Sequence, residues 1–215
     1  KQIDGQFVSA RRTGSDVYTV TQQTPSLNWT LDAEVWDELD GLHTDVRWDA
    51  PAAIRKLATE RLRDQLRPFI AQAVDEMPIE DILPSVTHED GVRETMMACS
   101  DVLHGKELSE PGFTTIAHID MGQDSLKVSA NATGVVAGST TVYASPRNLY
   151  VAQTSYGWWD GFSDVERVTR LHRFALERDE TQYSGSGEVD GFLHNQFSMS
   201  EHEGLLRVAT TYDDW

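Results

Sequence analysis

The chain has 215 residues, 39% of them hydrophobic, which is enough length and apolar mass for a sizeable core and one or two domains. Its 35 acidic and 18 basic side chains leave a net charge of −17. That field repels phosphate backbones and anionic lipid surfaces, so it argues against nucleic-acid binding and polybasic membrane docking; it suits a solvated acidic surface or the binding of cations.

One cysteine, Cys99, rules out an intramolecular disulfide, and its neighbours Met96, Met97 and Ala98 predict a buried thiol. No run of about 18 apolar residues is present to span a membrane. The opening Lys1-Gln2-Ile3-Asp4 is no signal peptide and reads as part of a strand region, as in an excised or mature segment.

In chain order, residues 7–12 and 17–21 have strand character, and Gly14-Ser15-Asp16 supplies the turn of a hairpin. The texture then changes. Trp29, Trp36 and Trp48 lead into a stretch where Asp49 can cap and Pro51 sits in a first turn. Ile54, Leu57, Ala58, Leu62, Leu66, Phe69 and Ile70 recur there at three-and-four spacing. This predicts an amphipathic helix with Glu60, Arg61, Arg63, Asp64 and Arg67 mostly on its wet side, and a kink or a new start at Pro68. Pro78 and Pro84 bracket one further short helix, and residues 85–110 read as a polar loop with one short ordered piece. Residues 33–110 are therefore expected to form a helical insertion.

After Pro111-Gly112, strand patterns resume at residues 113–120, 126–136, 140–144, 149–154, 168–176 and 181–187. A closing hairpin follows. Phe192, Phe197 and Met199 supply apolar mass, residues 200–204 form a polar break ending in Gly204, and Val208, Thr210 and Thr211 suit a pleated surface. Gly191 and Gly204 provide positive φ for the turns. Asn195 and Gln196, unusual in such a run, are expected to be buried and bonded to neighbouring backbone.

The series Gly187-Glu188-Val189-Asp190-Gly191, Asn195-Gln196-Phe197-Ser198-Met199 and Leu206-Arg207-Val208-Ala209-Thr210-Thr211 resembles a signature of the C-terminal β-propeller family of secreted bacterial and archaeal proteins, distantly related to WD40 repeats. Thr141-Val142-Tyr143-Ala144-Ser145 with Asn148-Leu149-Tyr150-Val151-Ala152 is similar to the preceding strand pair. Leu171-His172-Arg173-Phe174 is similar to a further strand, and residues 4–21 to an earlier blade segment. The resemblance covers residues 1–32 and 111–215. It implies a mainly β chain with an α insertion (α+β): a partial β-propeller segment at 1–32, the helical insertion at 33–110, and further blades at 111–215.

About ten strands amount to two to three antiparallel blades, fewer than the four or more a ring needs. Open sheet edges would then pair with another copy, be covered by the insertion, or belong to sequence outside this chain. The resemblance also implies an extracytoplasmic, non-enzymatic binding or scaffold module, and it carries no agreed catalytic residues to transfer.

The loop Tyr156-Gly157-Trp158-Trp159-Asp160-Gly161-Phe162 offers flat faces for a protein or glycan ligand, centred on Tyr156, Trp158, Trp159, Asp160 and Phe162; the alternative is packing against the insertion or between blades. No His-Glu-x-x-His, Cys-x-x-Cys or EF-hand spacing exists, so no cofactor is expected beyond a divalent cation held by Asp190, His194 and His202 if both loops face inward. His172, within a strand, reads as a structural histidine. Ser184-Gly185-Ser186-Gly187-Glu188 lacks the nucleophile-elbow pattern, and acidic pairs such as Glu89-Asp90 do not by adjacency make a catalytic cleft. The rival readings are a hydrolase using Asp, Glu or His of the propeller face, with catalytic residues unassigned, and a divalent-cation-binding protein.

Overall fold

The computed structural model describes residues 1–24, 52–104, 112–122, 127–128, 132–138, 141–155, 168–177 and 181–212. Two compact units divide the chain. One is Lys1–Pro25, Leu83–Trp159 and Val165–Trp215; the other is Ser26–Ile82 and Asp160–Asp164.

The first unit is built of strands. In chain order they are β1 (Gln2–Ile3), β2 (Gln6–Thr13), β3 (Asp16–Gln23), β4 (Ser85–Thr87), β5 (Arg93–Thr95), β6 (Val102–His104), β7 (Phe113–Asp120) and β8 (Lys127–Val128). Next come β9 (Thr133–Val136), β10 (Thr141–Ala144), β11 (Asn148–Ser155), β12 (Val168–Leu176), β13 (Thr181–Asp190), β14 (Met199–His202) and β15 (Leu205–Val208). Short 3-10 turns occupy Cys99–Asp101 and Gln196–Ser198.

These strands form a three-stranded sheet β1-β4-β5, a six-stranded sheet with the path β2-β3-β7-β9-β6 and β8 on β7, a four-stranded meander β10-β11-β12-β13, and the hairpin β14-β15. Pairing is antiparallel except at β6–β9, where Val102 opposes Gly134 in a parallel register. That exception lies between β6, inside the expected insertion, and β9, in the region expected to form antiparallel blades. No helix lies among the described residues between these two strands; β7 of the same sheet does.

Three apolar clusters join the sheets face to face. Ile3, Val86, Met96 and Met97 pack with Ala117, Ala132 and Val102. Val20, Ile116 and Val135 pack with Val142, Leu149, Val151 and Phe174. Ala152 and Leu171 pack with Leu193, Met199, Leu206 and Val208. The unbroken apolar run in β11 follows from this layering: the strand alternates Leu149 and Val151 toward one neighbour with Tyr150 and Ala152 toward the other, so both faces are buried.

Turn chemistry fixes the final hairpin's register. His202 opposes Leu205 across Glu203 and Gly204, whose φ values are 51° and 79°. Positive φ at both central residues is the two-residue turn whose twist matches the flanking strands. A different need makes Gly134 a glycine, since a Cβ there would stand 2.5 Å from Met97 Sδ.

Several expectations change. Residues 85–110 were expected to be mostly loop, but β4, β5 and β6 lie there, recruited by pairing with β1 and β9 rather than by any period of their own. Cys99 is exposed, not buried: Met96 and Met97 take the interior positions, and the 3-10 turn that Cys99 begins is at the surface. Asn195 and Gln196 are exposed because a 3-10 turn interrupts the strand pattern at Gln196–Ser198; Asn195 does bond backbone, its Oδ1 accepting from Phe197 N–H at 2.9 Å.

The second unit holds α1 (Ala52–Asp75) and α2 (Ile79–Ile82). α1 continues through Pro68, where a kink or restart was expected, and ends with Gln72 Nε2 bonded to Glu76 at 2.9 Å. Leu57, placed on the apolar face by spacing, is exposed.

Candidate functional site

Two features of the β-rich unit gather polar and aromatic side chains. The first joins the β14-β15 hairpin to the meander. Alternation in β14 points Met199 and Glu201 at the meander, because these residues oppose Val208 and Leu206 on the inner face. Asn148 Nδ2 donates to both oxygens of the Glu201 carboxylate, at 2.9 and 3.0 Å, and Tyr150 Oη donates to Oε2 at 2.9 Å. Glu201 N–H in turn donates to Tyr143 Oη at 2.9 Å, and Arg173 Nε donates to Asn148 Oδ1 at 3.0 Å. The Tyr143 and Tyr150 rings stack with centroids 5.9 Å apart.

Electrostatics follow from this geometry. Burial pushes the Glu201 carboxyl up, but the Ser145 and Tyr150 hydroxyls, the Asn148 amide and the Arg173 charge outweigh it and hold the group below the ordinary carboxylate range. Burial, and then the hydrogen bond to that carboxylate, pushes the Tyr150 phenol up to about 12. Both groups are thereby fixed at neutral pH, Glu201 as an anion and Tyr150 as a donor.

The second feature is a cavity of about 320 Å³ where β2 and β10 come together under the Gln196–Ser198 turn. Arg11, Tyr143, Gln196, Phe197 and Met199 are among its lining residues. Among the described residues, β2 and β10 are edge strands of their sheets. Phe197 is 85% exposed, and Arg11 has no acidic partner among the described residues.

The residues expected from sequence fall elsewhere. Tyr156, Trp158, Trp159, Asp160 and Phe162 lie outside the described residues. Asp190 ends β13, His194 precedes the 3-10 turn and His202 ends β14; all three are exposed, with His202 Nε2 3.8 Å from Glu203 Oε1. Among the described residues, no group of three or more His, Cys, Asp or Glu side chains is placed to hold a metal ion. His172 is buried beside Tyr183, its Nδ1 3.4 Å from the phenol oxygen, and burial, followed by the Arg170 charge, pushes its pKa down. A neutral buried imidazole agrees with its reading as a structural residue.

Comparison with known proteins adds two findings. A family model described as a β-propeller domain matches residues 1–215, so the match includes residues 33–110, which the sequence resemblance left out. An uncharacterized protein of Methanocaldococcus jannaschii is 40% identical over 57 residues, a stretch that is 26% of this chain and 8% of that protein.

Proposed function

Because the chain belongs to the β-propeller domain family, we propose that it is a non-enzymatic binding module and that the cavity beside Arg11 and Phe197 takes its ligand. Propellers arrange their sheets radially around a central channel. Here β1, β2 and β10, each the first strand of its sheet in sequence, lie at sheet edges, which supports assigning the cavity edge to the channel side.

The observation that carries the proposal is an arginine among the residues that line a cavity, with no acidic partner among the described residues, in a chain of net charge −17, next to an aromatic ring left in water. An arginine of this kind suits a carboxylate, which it can meet with two parallel hydrogen bonds. Phe197 and Tyr143 suit a planar or apolar group attached to that carboxylate. The ligand class is therefore a small aromatic or apolar carboxylate, free or at the end of a partner's chain. A volume of about 320 Å³ is at the small end of ligand sites.

The polar cluster gives the hydrolase reading little support. The carboxylate oxygens of Glu201 are already taken by Asn148 and Tyr150, and a phenol pushed up to about 12 is poorly matched to proton transfer at neutral pH. An extracytoplasmic location belongs to the same proposal and rests on the sequence resemblance; cell fractionation of the source organism tests it.

The binding test is calorimetry with benzoate, phenylacetate and a short peptide ending in phenylalanine, each beside its amide. The carboxylates should bind and the amides should not, and Arg11→Ala and Phe197→Ala should each weaken binding at least tenfold with the melting temperature unchanged. Equal binding of acid and amide, or full affinity in both variants, overturns the proposal.

A further inference from the structure

We propose that the Glu201 carboxylate is an acid-released latch that fastens the β14-β15 hairpin, and the Gln196–Ser198 turn leading into it, to the face of the meander that carries Asn148, Tyr150 and Ala152. The groups that face it are Tyr143 from β10, Ser145 from the β10–β11 turn, Asn148 and Tyr150 from β11, and Arg173 from β12. On its own hairpin, His202 and Glu203 are exposed and lie 3.8 Å from each other.

The asymmetry of this set is the reason for a latch. Asn148 Nδ2 can only donate, its Oδ1 is engaged by Arg173, and the guanidinium cannot accept. A protonated Glu201 would give up the negative charge that the Asn148 and Tyr150 donors and the nearby Arg173 charge favour. The apolar part of the attachment, Met199, Leu206 and Val208 on Ala152 and Leu171, does not titrate. The hairpin is only two strands wide, too narrow to be stable alone, so its order depends on this attachment.

The direction of the pH effect follows from linkage. Glu201 is held below its ordinary value when the hairpin is docked. Its contribution is therefore complete above that ordinary value and is lost as pH falls through the docked value. Opening becomes easier by up to about tenfold per pH unit across this window.

Gln196, Phe197 and Met199 line the cavity, so undocking the hairpin also removes one of its walls. This consequence rests on the ligand reading above; the latch does not.

Amide hydrogen exchange on the whole chain tests the latch without any ligand. After correction for intrinsic rates, protection of amides in β14 and β15 should fall about tenfold or more between pH ~5 and pH ~3, while β11 and β12 keep theirs. Glu201→Gln should leave the hairpin poorly protected at every pH. Tyr150→Phe, which removes one donor to the carboxylate, should move the transition to higher pH. Loss of protection in step with β11 and β12, persistence of the transition in Glu201→Gln, or an unshifted transition in Tyr150→Phe overturns the proposal.

Discussion

On one face of the β10-β11-β12-β13 meander, Val142, Leu149, Val151 and Phe174 meet Val20, Ile116 and Val135 in an apolar cluster. On the other face, Ala152 and Leu171 meet Met199 and Leu206, and beside them Glu201 is held by Asn148, Tyr150 and Tyr143. The same strands thus make two kinds of attachment. Apolar burial has no direction and little pH dependence, and its strength scales with area. The hydrogen-bonded carboxylate contributes less net free energy but sets the hairpin's position and makes its docking sensitive to acid, because any one missing partner leaves the others unpaired.

The largest expected effect lies on the apolar side. Phe174 is 0% exposed and meets Tyr183 edge-on at 5.4 Å between centroids. Phe174→Ala should cost about 3–5 kcal/mol, read from the denaturant midpoint, and the loss should be similar at neutral and mildly acid pH. A loss below about 1 kcal/mol would break the comparison, since it would mean that the cluster can collapse around the gap.

The polar side is sharpened by Asn148→Ala. The buried amide donates to both Glu201 oxygens and accepts from Arg173, so removing it leaves a carboxylate and a guanidinium short of partners. The expected cost is about 1–3 kcal/mol at neutral pH. Because Glu201 is docked with a depressed pKa, this cost should shrink as pH falls below the ordinary carboxylate value. A cost that stays constant down to acid pH would show that the amide acts through packing alone.

How far the sequence revealed these regions depended on the range of the interactions involved. β7 and β12 were legible to their ends, because eight and nine residues of strand pattern leave little choice of period. β4, β5 and β6 were not, because three-residue strands carry no period and exist only through distant partners. Glu201 stood in a polar break next to a turn and looked solvated; the residues that claim it, Asn148 and Tyr150, lie 53 and 51 positions away. The cavity was illegible for the same reason, since Arg11 and Phe197 come from opposite ends of the chain. Asn195 is the opposite case, for its signal was local: an asparagine two positions before Phe197 is a helix-capping residue, and the strand-like surroundings hid that reading.

Asn195→Ala should therefore have the smallest effect of the three. A buried amide would have cost about 1–3 kcal/mol on removal. Asn195 is exposed, and the bond its Oδ1 accepts from Phe197 N–H caps a single 3-10 turn whose donor can turn to water instead. The loss should be about 0.5–1 kcal/mol, the lower part of the range for removing a cap. Asn195→Asp keeps the acceptor and should recover most of it. Thermal melting of the two variants side by side decides the matter. If alanine costs as much as it does at Asn148, the turn is part of the hairpin's attachment and not an appendage to it, and the contrast between half-buried latch and exposed cap is lost. If alanine and aspartate both leave the midpoint unchanged, the β14-β15 hairpin is positioned from Met199 onward, by its apolar residues and Glu201, with no help from the turn that precedes it.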